Sequence, residues 1–119
     1  MEATINVVRT KPGVEFSAIA PGGFVLLAAI QRAAGECQLD LIITSGTDGC
    51  HSGQNDPHHR GEAYDIRSHD FSDDQKHEVV STIQSIAGYD FYVFLESPLT
   101  DNEHIHCQVR KGTTYPPTT

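Results

Sequence analysis

Six of the seven histidines of this chain fall in two short windows, His51–His69 and His104–His106. The first window contains His58-His59-Arg60-Gly61-Glu62-Ala63-Tyr64-Asp65-Ile66. A histidine and an aspartate there lie seven residues apart, with Gly61 permitting a tight turn and small Ala63 beside the site. If the stretch is extended, Ala63 and Asp65 share a face. One loop histidine, Asp65 and one histidine of the second window make a set of two imidazoles and one carboxylate. Three protein ligands leave a tetrahedral zinc ion one open position, which marks a catalytic rather than a structural site. Zinc lowers the pKa of a water there toward ~7. A carboxylate is then needed as general base, and Glu103, three residues before His106, is the candidate. His51 and His69 flank the site as bystanders, and His77 belongs to the exposed side of a helix.

These groups need rigid elements to hold them. His104–Arg110 alternates as a strand does, with Ile105, Cys107 and Val109 facing the core and His104, His106 and Gln108 facing away. Leu39–Thr44 and Ala63–Arg67 read as further strands, Phe91–Leu95 as a buried one, and Ile5–Val8 as an edge strand. Residues 45–62 carry no apolar period and read as a functional loop. The segment from Pro21 to Gly35 is apolar nearly all round and predicts a well-buried helix with Gly35 at its stop. Ser72 with Gln75 forms a capping box for a second helix, with a stripe of Val79, Ile83 and Ile86, and Gly88 ends it. The expected fold is α+β: a small, mostly antiparallel sheet with both helices on one face and the site on the other.

Composition narrows the function classes. At 119 residues the chain is one domain, expected over 1–112 with a loose Thr/Pro-rich tail over 113–119. Sixteen acidic against eight basic residues give a net charge of −8, which argues against a nucleic-acid partner. The longest apolar run, Phe24–Ile30, is too short for a membrane span, and Met1–Pro12 has no apolar leader. A cytoplasmic protein, or one that is released without a leader, is expected, and as a monomer. Cys37, Cys50 and Cys107 form no C-x-x-C pair and read as small hydrophobes in a reducing compartment. An iron centre with two histidines and one carboxylate is disfavoured, because neither Asp56 nor Glu62 has the usual spacing from His58.

The pattern His58-x-x-Gly61-x-Ala63-x-Asp65-Ile66, followed by Glu103-x-x-His106, resembles the M15 zinc peptidases. These comprise D-Ala-D-Ala carboxypeptidases and dipeptidases and L-alanyl-D-glutamate endolysins, and they share a fold with the Hedgehog signalling domain. The resemblance covers roughly residues 20–112 and includes the order Ser45-Gly46, His/Asp motif, terminal histidine strand. It implies one Zn2+ on His58, Asp65 and His106, with Glu103 as catalytic base and His104 lining the site. It also implies hydrolysis of a peptide bond in D-amino-acid-containing peptides, such as peptidoglycan stem peptides. His59 has no place in the motif. The family arginine that grips substrate after the Ser-Gly pair is missing, and Asp48 stands at the comparable place. Arg60 or Arg67 would have to substitute, since arginine grips carboxylates bidentately. The departure at Asp48 also motivates a second expectation, a non-catalytic zinc-binding module of the same fold.

Overall fold

The computed structural model describes residues 5–49, 57–58 and 60–110. Its elements run β1 (Val8–Thr10), α1 (Pro21–Cys37), β2 (Leu41–Ser45), β3 (Ala63–Arg67), α2 (Asp73–Ala87), β4 (Phe91–Glu96) and β5 (His104–Val109). The five strands form one sheet in the order β1-β2-β3-β5-β4. Only the β1–β2 pair is parallel. The class is therefore α+β, as the sequence implied. His51, His59, Cys50 and the 113–119 tail lie outside the described residues.

Register explains how one face becomes core and the other a site. Tyr64 pairs with Cys107 and Ile66 with Ile105 across β3–β5, while Val93 and Leu95 pair with Cys107 and Ile105 across β4–β5. Both helices cover this face. Leu26, Ile30, Ala33 and Ala34 of α1 and Val79 and Ile83 of α2 pack against it, all with no exposed surface. Side chains alternate along a strand, so the opposite face collects every second residue. There Phe94, His106 and Asp65 form one row across β4, β5 and β3, and Glu96, His104 and Arg67 form the next.

Local chemistry sets the helix ends. The capping box at α2 is complete: Ser72 Oγ accepts from Gln75 N, and Gln75 Oε1 accepts from Ser72 N. Gly88 closes the same helix with φ +93°. Helix α1 departs from the sequence reading in two ways. It runs through Gly35 to Cys37 and stops at Gln38, whose left-handed backbone (φ 56°) returns its N–H to Ala34 O and Gly35 O. It is also not buried all round, since Phe24 and Val25 face outward. β1 falls slightly later than the Ile5–Val8 stretch, because Asp40 Oδ1 accepts from Val7 N and holds the chain just before the strand.

Candidate metal centre

Asp65 is the hub. It sits mid-strand in β3, buried, opposite His106. Its Oδ1 lies 2.9 Å from His106 Nδ1, 3.3 Å from His58 Nε2 and 3.5 Å from His104 Nε2. A buried carboxylate oxygen facing three imidazole nitrogens is a dense set of metal-type donors. Glu96 joins from β4, with Oε2 at 3.0 Å from His104 Nε2 and 3.4 Å from His106 Nδ1. The ligand atoms of Asp65, Glu96, His104 and His106 all lie within 4.8 Å of one another, so this cluster could hold a metal ion.

Each donor is oriented from behind. His58 reaches the centre from the turn before β3, where Gly61 N donates to His58 O and Glu62 N to Pro57 O. His58 Nδ1 donates to Gly46 O at 3.0 Å, which leaves Nε2 to face Asp65. Gln108 Oε1 lies 2.7 Å from His106 Nε2 and leaves Nδ1 facing Asp65. Backbone carbonyls and side-chain amides behind ligating imidazoles fix tautomer and ring orientation in this way. A register shift in β2 between Ile43 and Ser45 breaks the ladder beside Asp65, as bulges near functional sites often do.

Electrostatics follow from this packing. Burial alone would raise the Asp65 pKa, but hydrogen bonds from His106 and His58, with the charge of His58 and His104, hold it far below the usual carboxylate range. Burial disfavours the charged forms of His58 and His106, yet the bonds to Asp65 outweigh it and raise both imidazoles. Without a metal ion, this packing favours the ionised form of Asp65 and the charged forms of His58 and His106.

The remaining sequence candidates separate. Glu103 is buried just before β5 and lines the cavity beside Asp65 and His104, but its carboxylate is turned to α2 and the turn after β4. Its Oε2 takes Lys76 Nζ at 2.8 Å and Ser68 Oγ at 2.6 Å, and its Oε1 accepts from Leu99 N. Lys76 and Ser68 hold its carboxyl down to a pKa of about 2. Glu103 makes no bond to any of the described histidines. Three residues along a strand is the wrong parity for sharing a face with His106. Instead it ties down the turn after β4, where Ser97 and Leu99 have positive φ. Asp48 is not aimed at a ligand either: its Oδ1 accepts from Gly46 N and Glu15 N and so stiffens the turn that supports His58. Arg60 pairs with Glu62 on the loop. Arg67 stands on the open face, its row shared with His104. Of the bystanders, His77 is exposed on α2 as expected. His69 lies at the end of a cavity next to the centre, with Nε2 3.3 Å from Asp101 O.

Glu96 was missed because Phe91–Leu95 reads as a wholly apolar run. The available signal was its hairpin position, directly opposite His104. The class that fold and site define is an α+β domain whose open sheet face carries a His/Asp/Glu centre. Comparison with protein-family models, with curated proteins and with solved structures finds no match to this chain. No helix among the described residues is long and apolar enough to cross a membrane.

Proposed function

We propose that this chain is a zinc-dependent peptidase of the D-Ala-D-Ala peptidase type, cleaving a peptide bond in D-amino-acid-containing peptides such as peptidoglycan stems. The observation that carries the reading is Asp65 Oδ1 within 3.5 Å of three imidazole nitrogens, on rings held at their other nitrogen by Gly46 O, Gln108 and Asn102 O. Two nitrogens and one oxygen suit zinc. His58, Asp65 and His106 would hold it. A bound zinc ion would polarise the scissile carbonyl and favour deprotonation of water.

The protein groups then divide the work. Asp65 stays ionised and keeps its partner imidazoles in place. Glu96, not Glu103, is the carboxylate on the open face within reach of both strand histidines, and it takes the role of base. It accepts a proton from the attacking water as the C–O bond forms. It passes that proton to the amine as the C–N bond breaks. His104 Nε2, 3.0 Å from Glu96 Oε2, orients that carboxylate. Phe94, with its ring 5.2 Å from that of His106, walls the centre on the β4 side. Glu103 is a positioning residue, fixing the entry into β5.

One observation favours a second reading, a non-catalytic zinc module. If Asp65, Glu96, His104 and His106 all ligate, four protein donors close the tetrahedron and leave no place for substrate. Zinc affinity by chelator competition separates the two. A peptidase loses affinity with Asp65→Ala and His58→Ala and keeps most of it with His104→Ala. A closed module shows the reverse for the two histidines, and hydrolysis of D-Ala-D-Ala peptides is absent.

A further inference from the structure

Sheet order leaves β4 with a strand on one side only, β5, so its other edge faces outward. In an antiparallel pair, successive residues turn their N–H and C=O alternately toward and away from the neighbour. Phe91, Val93 and Leu95 form the outward set, and Phe91 N accordingly donates to Gly88 O rather than to β5. Gln84 of α2 occupies the first half of this edge. Its Oε1 accepts from Val93 N at 3.0 Å, and its Nε2 donates to Phe91 O and to Gly88 O, both at 2.9 Å. One side-chain amide thus stands where the backbone of a further strand would pair. Among the described residues, no group takes Val93 O or the N–H and C=O of Leu95.

The strand itself carries none of the usual protection. Lysine, proline or a bulge commonly keeps an edge strand from pairing with another chain. Phe91-Tyr92-Val93-Phe94-Leu95 has no charge and no proline, and its register with β5 is unbroken. Tyr92 and Phe94 are exposed on the open face beside the edge. Short segments of high β-propensity and low charge, without proline or glycine, are those that pair with copies of themselves. This one also complements itself. Laid antiparallel against a second copy with Val93 opposite Val93, the outward groups of residues 91, 93 and 95 meet their counterparts. Tyr92 of each copy then falls opposite Phe94 of the other, a favourable aromatic pair across strands. Only the ends resist, where Glu96 opposes Asp90. Independently of the metal centre, we propose that the outer edge of β4 is a contact surface for a second copy of this chain, and that Gln84 holds it closed in the monomer. Pairing requires the Gln84 amide to leave Val93 N and Phe91 O in both copies. The two sheets then join into one, with both metal centres on the same side of it.

Sedimentation equilibrium of the full chain at low and high salt tests this, together with backbone amide exchange read by NMR. Wild type is expected to be a monomer in which the Val93 amide is protected and the Leu95 amide exchanges fast. Gln84→Met keeps the length of the side chain and removes both bonding ends. One hydrogen bond is worth about fivefold in an equilibrium, so two bonds released in each of two copies come to on the order of 10²–10³-fold. Gln84→Met is expected to self-associate more tightly by that factor, with the Leu95 amide newly protected. High salt, which screens Asp90 against Glu96, is expected to tighten the pair further. Adding Tyr92→Lys puts a charge opposite Phe94 of the second copy and is expected to restore the monomer, whereas association through unfolding would not respond to it. Gln84→Met remaining monomeric at both salts overturns the proposal, as does association that survives Tyr92→Lys or leaves the Leu95 amide exposed. So does a wild type already paired through β4, or a wild-type Val93 amide that exchanges as fast as that of Leu95, a measurement that needs no variant to fold.

Discussion

Gly23→Ala should destabilise this protein although it replaces a helix glycine with the best helix former. On propensity alone the change is worth about 1 kcal/mol in favour of folding. A Cβ at Gly23, however, would lie 2.0 Å from Gly61 O and 2.9 Å from Tyr64 Oη. Gly61 O cannot simply yield. It accepts from Ala20 N at 3.2 Å, and its own residue donates N–H to His58 O. Gly61 is itself at φ +69°, with Ala18 O 2.0 Å from its own Cβ position. Restoring ordinary contact needs a shift of about 1.4 Å, from 2.0 to 3.4 Å, in a segment packed on both sides. Overpacking of this kind costs about 1–3 kcal/mol, near the upper end where backbone must move. Less the propensity gain, the net loss is about 1–2 kcal/mol, or a fall in Tm of about 4 °C or more. The strained turn carries His58, so zinc affinity should fall with stability. Gly35→Ala in the same helix is the control. Its Cβ would meet nothing within 4 Å, so it should raise Tm slightly and leave zinc affinity alone. Thermal melts by circular dichroism with chelator competition read both. A Gly23→Ala protein as stable as wild type, with unchanged zinc affinity, would refute the packing argument.

Two further outcomes follow from the residues around the centre. Glu103 titrates at about 2, below the ordinary 4.5, so its contribution to stability is fully present above about pH 4.5 and is lost as pH falls toward 2. Urea melts of wild type and Glu103→Gln should therefore differ by a constant amount at neutral pH and converge in acid, while kcat for Glu103→Gln is affected far less than for Glu96→Gln. Asp48→Arg, which installs the arginine expected from the family pattern, should weaken the protein rather than improve catalysis. It removes the acceptor for Gly46 N and Glu15 N, costing about 1 kcal/mol at this exposed position, and loosens the carbonyl that holds His58 Nδ1.

Much of the fold could be read from period and capping. Ser72, Gln75 and Gly88 bound α2 by local hydrogen bonds and backbone freedom, which need no tertiary partner. The alternation over His104–Val109 correctly separates Ile105 and Cys107 from His104 and His106, because one buried face enforces it. His58 and His106 both reach Asp65, at 3.3 and 2.9 Å, but the donor atoms that gather within 4.8 Å of one another are those of Asp65, Glu96, His104 and His106, without His58. What failed is what depends on pairing across strands. Glu103 looked close to His106 in sequence, but strand parity sends it to Lys76 instead. Glu96 looked like the end of an apolar run, but the hairpin places it against His104. Gly35 looked like a stop, yet a helix continues through glycine when its other residues pack, as Ala33 and Ala34 do. β1 shows in the sequence only as the neighbouring Ile5–Val8 stretch, and its parallel pairing with β2, which brings Lys11 to the cavity, has no local signal.

In the proposed peptidase Glu96 works beside a zinc ion rather than as one of its ligands. Zinc content and hydrolysis of a D-Ala-D-Ala peptide, measured together on the same preparation of Glu96→Gln, test it most directly. Glu96→Gln is expected to bind one zinc ion per chain as tightly as wild type and to lose kcat by about 10²-fold or more, the usual worth of a general base. Loss of zinc in step with activity, or full activity with zinc retained, would contradict it.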